Sequence, residues 1–67
     1  MPMVNVKITR EGATTEQKRQ VIAEMTEVLA RVLGKNPETT IVIIEEVDNE
    51  SWGIAGQSVA ERRKQVS

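Results

Sequence analysis

The chain has 67 residues, of which 39% are hydrophobic and 28% charged, with a formal net charge of −1. This length accommodates one small domain, residues 1–67, which buries too little surface to be comfortably stable by itself. Cysteine and histidine are absent, which excludes disulfides and thiolate or imidazole metal sites, so stability must come from oligomerisation or an unusually well-packed monomer, and the oligomer is preferred.

The first predicted element is a strand over residues 3–9, directly after Met1-Pro2. Val4, Val6 and Ile8 alternate with Asn5, Lys7 and Thr9, the period-two pattern of a strand with one buried face. Arg10-Glu11-Gly12-Ala13 reads as a loop. Thr14 stands three residues before Gln17, the spacing of a capping box, and sets a helix start near Thr15. The helix is predicted to run to about Leu33, with Val21, Ile22, Met25, Val28, Leu29, Val32 and Leu33 forming one apolar stripe. Gly34 is placed as the residue that closes it, and Asn36-Pro37 prevents its continuation.

A second strand is predicted over residues 40–47. Its run Ile41-Val42-Ile43-Ile44 has no polar alternation, so both faces are expected to be buried, as in a parallel sheet. Strand, helix and strand joined by short connections make a β-α-β unit with parallel strands, and its single helix covers one sheet face. The other face requires a cover from outside the chain, which again points to an oligomer. Glu45-Glu46-Val47-Asp48-Asn49-Glu50 is read as a solvated strand end and turn; consecutive carboxylates on a strand point to alternate faces and do not converge on a metal. Ser51-Trp52-Gly53-Ile54-Ala55-Gly56-Gln57 suggests a short hairpin or an arm reaching a neighbour. For the polar, basic tail, residues 58–67, a helical turn, an interface arm and disorder all stay open. The fold class is therefore α+β.

No basic stripe marks a nucleic-acid surface, and Trp52 is the one aromatic available for base stacking. No apolar run approaches the roughly 20 residues of a membrane span, and the start lacks a signal-peptide core, so a soluble cytoplasmic protein without a nucleic-acid or membrane partner is expected. Without His, Cys or Tyr, the side chains that most often act as acids, bases or nucleophiles near neutral pH are missing. What remains is Asp, Glu and Lys with shifted pKa values, unactivated hydroxyls, and the terminal amine, which ordinarily titrates at roughly 7.7–8.0. If Met1 is removed, that amine is the ring nitrogen of Pro2.

A Pro after the initiator Met, a strand, Thr-Glu-Gln-Lys opening a helix, an Ile/Val-rich strand and then Trp-Gly-Ile-Ala-Gly together resemble the 4-oxalocrotonate tautomerase family. The resemblance spans Pro2 to about Arg63. It implies a β-α-β fold with a C-terminal hairpin, assembled as a homohexamer (a trimer of dimers), and no cofactor. It also implies that Pro2 is the general base, interconverting enol and keto forms of a small carboxylate-bearing, unsaturated 2-keto acid. Trp52 falls where the family has an aromatic residue lining the apolar pocket that keeps the proline amine neutral. The chain departs from the family at two arginines that bind and polarise the substrate: those positions fall on Gly12 or Ala13 and on Ile41. Arg10, from a shifted loop, is the expected replacement for substrate binding, set against an ordinary exposed arginine; Arg62 and Arg63, entering a neighbour's site, rank below it. Electrophilic stabilisation should then be weaker, giving low activity on the usual dienol diacid or a different substrate. The alternatives are a non-catalytic oligomeric family member and a proline-dependent hydratase or dehalogenase, whose water-positioning carboxylate would be Glu11, Glu45 or Glu46.

Overall fold

A computed structural model describes residues 1–66 of the chain. Strand β1 (Met3–Thr9) leads to helix α1 (Thr15–Leu33), then strand β2 (Ile41–Val47), a hairpin of β3 (Gly53–Ile54) and β4 (Gln57–Ser58), and helix α2 (Val59–Val66). β1 and β2 pair in parallel, with Met3 opposite Ile41 at one end and Thr9 opposite Val47 at the other. The expected α+β architecture, a parallel β-α-β unit followed by a short hairpin, is the one observed. Of the readings left open for the tail, the helical one holds for residues 59–66; Ser67 lies outside the described residues.

Helix α1 begins and ends where its sequence signals stand. Thr14 Oγ1 accepts from the Gln17 N–H at 3.1 Å, and the Gln17 side chain accepts from the Thr14 N–H at 2.9 Å, so both halves of the capping box form. Gly34 closes the helix at φ +67°, in the left-handed region that favours glycine. A short 3-10 turn, Pro37–Thr39, follows; the Asn36 side chain accepts from the Glu38 N–H at 3.0 Å and seeds it.

The two faces of the ladder differ. On one, Val6, Ile8 and Ile44 meet Val21 of α1, leaving a gap of only about 70 Å³. Lys18 of α1 is paired with Glu46 of β2 in this layer, and both side chains are largely shielded from water. On the other face Met3, Ile41 and Ile43 are 62%, 45% and 39% exposed. The polar end of that face is occupied by Glu45, which accepts from Asn5 at 2.6 Å and from Lys7 at 3.1 Å. One helix therefore covers one face, and within the single chain the apolar side of Ile41 and Ile43 stays open.

Little of the chain is buried. Val59 is the one buried apolar residue among those described, and Ile22, Met25, Val28, Val32 and Leu33 of the α1 stripe are each about 40% exposed or more. The radius of gyration is 15.4 Å, against about 11 Å expected for a self-contained domain of this length. None of the described helices is long and apolar enough to cross a membrane.

The hairpin turns through Ala55 at φ +53° and Gly56 at φ +84°, both in the left-handed region, as a tight two-residue connection requires. The Val59 N–H then donates to the Trp52 carbonyl at 2.8 Å, and Ser58 Oγ accepts from the Glu61 N–H at 3.1 Å to cap α2. These contacts fold α2 back beside the end of the ladder.

Candidate active site

Pro2 stands one residue ahead of β1 and is half-buried. Its carbonyl accepts from the Ile41 N–H at 3.0 Å, which opens the ladder. Its nitrogen carries no N–H while Met1 precedes it and takes no part in the ladder. Joined to Met1, that nitrogen is a tertiary amide without basicity; freed of Met1, it is a secondary amine. Met1 itself is 91% exposed.

Trp52 lies at the other end of the sheet. It lines an open cavity of about 720 Å³ together with Ile8, Ile54, Val59, Glu11 and Arg63. Pro2 and Ile8 are separated by six residues of strand, roughly 20 Å at about 3.3 Å per residue. The parallel ladder thus keeps Pro2 and Trp52 apart within one chain. Within one chain the Pro2 nitrogen does not reach the Trp52 wall.

Arg10 is held away from the Trp52 cavity. Its N–H donates to the Val47 carbonyl at 2.9 Å, its Nε to Asp48 Oδ1 at 2.8 Å and its Nη2 to the Glu46 carbonyl at 3.4 Å. It lines a separate depression with Asp48, Asn49 and Glu50. The cation that lines the Trp52 cavity is Arg63, paired with Glu11, whose other carboxylate oxygen accepts from Thr9 Oγ1. The Thr9 hydroxyl, then the Arg63 guanidinium, hold the Glu11 carboxyl below its ordinary value. Arg62 is exposed and is not among the residues lining this cavity.

The sequence ranks Arg10 above Arg63 because Arg10 is nearer the loop before α1. What reverses their placement is helix phase: Arg63 stands four residues beyond the buried Val59, so both side chains share one face of α2. The remaining carboxylates diverge. Glu45 turns to Asn5 and Lys7 on the open sheet face, Glu46 to Lys18 on the helix face, and Asp48 to Arg10.

Comparison with known proteins places this architecture. Residues 2–62 match the family model described as tautomerase enzyme. A probable tautomerase, K2, of Dickeya dadantii (strain 3937) is 58% identical over 67 residues, covering 100% of each chain. The 2-hydroxymuconate tautomerase of Bacillus subtilis (strain 168) is 36% identical over 91% of this chain and 97% of its own. Among solved structures, DmpI from Helicobacter pylori superposes with a TM-score of 0.88 at 40% identity, covering 94% of this chain and 97% of that one. A heterohexamer 4-oxalocrotonate tautomerase from Chloroflexus aurantiacus J-10-fl superposes with a TM-score of 0.82 at 28% identity, covering 91% and 97%. The chain belongs to the tautomerase family.

Proposed function

We propose that the mature chain begins at Pro2 and that its secondary amine is the general base of a keto–enol tautomerase. The observation that carries this reading is the position of Pro2: a nitrogen outside the ladder, anchored by its own carbonyl, in a chain without His, Cys or Tyr. The amine takes a proton from an enol hydroxyl or an activated carbon and returns it at another carbon as the double bond shifts. A wall containing Trp52 disfavours the ammonium form by desolvation and keeps the amine free.

The substrate we assign is a small unsaturated 2-keto acid in its enol form, the chemistry named for the Bacillus subtilis relative. The assembly we assign is a homohexamer, in the cytoplasm, with each site shared between copies. Its support is the open apolar face of Met3, Ile41 and Ile43, the elongated chain, and the hexameric state named for the Chloroflexus relative.

Intact mass, combined with an assay on phenylenolpyruvate and on 2-hydroxymuconate, tests the reading. A chain starting at Pro2 should turn over at least one of them, and Pro2→Ala should lose roughly 10²–10⁴-fold in rate. A Pro2→Ala variant as active as wild type sinks the mechanism. Hydration of an unsaturated acid is a second Pro2-dependent outcome, and of the three candidate carboxylates only Glu11 lines the Trp52 cavity; product identity separates the two reactions. No turnover of either enol by a correctly processed hexamer would favour a non-catalytic family member.

A further inference from the structure

We infer that Arg63 is the carboxylate-binding cation of the Trp52 cavity, and that Glu11 occupies it until an anionic ligand takes its place. The link from this subsite to turnover rests on the function proposed above; the binding itself does not.

Three observations converge. First, Arg63 is the one basic residue among those lining the cavity, whose other walls include Ile8, Trp52, Ile54 and Val59. Thr9, Glu11 and Gln17 make up the polar part of the lining, and an apolar wall beside one cation suits a small ligand with an apolar or unsaturated body and a carboxylate at its end. Second, a carboxylate already sits on the guanidinium: Glu11 Oε1 contacts Arg63 Nη2. That engages one terminal nitrogen of a group with five N–H donors, which matches a carboxylate best through two parallel bonds. Third, the placement is built in. The Val59 N–H bond to the Trp52 carbonyl and the Ser58 cap start α2, and Val59 is buried one turn before Arg63 on the same face.

Glu11 is a competitor for the same cation. Thr9 bonds its second oxygen, so it is positioned from the β1 side whether or not Arg63 is engaged. An incoming carboxylate exchanges with Glu11, and Glu11 is left facing the loop and Thr9. The exchange keeps Arg63 paired but adds the ligand's charge to a cavity that still holds Glu11, so affinity depends on how well the ligand body fills the space beside Trp52 and on the repulsion from Glu11. Removing the charge of Glu11 frees the cation and tightens binding; removing Arg63 leaves two carboxylates in one cavity and weakens it.

Trp52 is the chain's single tryptophan, so its emission reports occupancy of this cavity. The probe is adipate, a saturated six-carbon dicarboxylate that the proposed reaction cannot convert. Full-length assembled protein is titrated while Trp52 emission is followed, for wild type, Arg63→Ala, Arg63→Lys, Glu11→Gln and Arg62→Ala. Wild type should show a saturable change. Arg63→Ala should bind on the order of tenfold more weakly or worse, Arg63→Lys should recover part of the loss, and Arg62→Ala should match wild type. Glu11→Gln should bind severalfold more tightly. In turnover, Arg63→Ala should raise KM more than it lowers kcat. The adipate titration involves no turnover, so a failed proton-transfer mechanism leaves this result standing. Equal affinity in wild type and Arg63→Ala, weaker binding in Glu11→Gln, or no adipate-dependent change in wild type overturns the proposal. Circular dichroism and light scattering confirm that each variant is folded and assembled, and Glu11→Gln, which keeps its bond to Thr9, carries the test alone if α2 does not tolerate Arg63→Ala.

Discussion

Pro2 and Trp52 occupy opposite ends of one parallel ladder: Pro2 beside Ile41 where the strands begin, Trp52 beyond Val47 where they finish. Under the proposed function, neither residue can serve the other within a single copy. Two variants defective for different reasons should therefore complement each other. Pro2→Ala and Trp52→Ala chains, each weakly active alone, are expected to regain activity when unfolded together and reassembled. Random mixing should restore roughly a quarter of the sites. Activity of the mixture no greater than the sum of its parts would contradict a shared site.

Assembly depends on the open sheet face, where Ile43 is 39% exposed between Asn5 and Glu45. Ile43→Lys places a charge in a face that the proposed oligomer buries. At micromolar concentration, light scattering should show the wild type as a hexamer and Ile43→Lys as smaller species, with loss of turnover. A hexameric Ile43→Lys would mean that this face is not an interface.

Acid should destabilise the protein through a defined set of carboxylates. Glu46 is held below its ordinary 4.5 by the Lys18 hydrogen bond, Glu45 by Asn5 and then Lys7, and Glu11 by Thr9 and then Arg63. Each binds protons more weakly folded than unfolded. Their stabilisation is complete above the unfolded value of 4.5 and drains away as pH falls through the depressed folded values. The part of the melting temperature that these carboxylates supply should therefore be constant above that value and fall below it. Glu46→Gln should lower the plateau and reduce the acid slope.

Ala55 is the single non-glycine residue with positive φ among those described. Alanine in this region is strained, whereas asparagine visits it readily and Asn-Gly is the favoured pair for such a turn. Ala55→Asn should stabilise the protein by about 0.5–1 kcal/mol in denaturant unfolding. Because α2 is tethered to the same hairpin through Val59, the gain should also appear as greater amide-exchange protection in residues 59–66. A lower midpoint in Ala55→Asn would refute the strained turn.

The elements that were legible in the sequence are those with strong local signals. The alternation of Val4, Val6 and Ile8 located β1, and Thr14 with Gln17 located the start of α1 to the residue. Gly34 marked its end because left-handed φ there suits glycine. The 3-10 turn at Pro37–Thr39 was not foreseen, since Asn36-Pro37 reads as a helix stop and hides the capping role of the Asn36 side chain. Helix α2 was one of three open readings because its sequence is mostly polar and Val59 is the one buried apolar residue among those described, too little for periodicity to register. For the same reason, Arg62 and Arg63 were indistinguishable: which of them faces the cavity depends on the burial of Val59. Parallel strands already imply that Pro2 and Trp52 are far apart in one chain, but that consequence becomes visible only when the hairpin is seen folding back beside Ile8 and Thr9.

The bond that fixes Pro2 uses its carbonyl, and a proline nitrogen joined to Met1 has no hydrogen to donate. Cutting away Met1 therefore breaks no ladder hydrogen bond, and the chain before and after the cut should share one fold and one assembly. Under the proposed mechanism the uncut form is a latent enzyme, soundly folded and chemically mute. Any purification tag fused ahead of Pro2 would create that latent form permanently, in a preparation whose size, spectrum and melting curve all look correct.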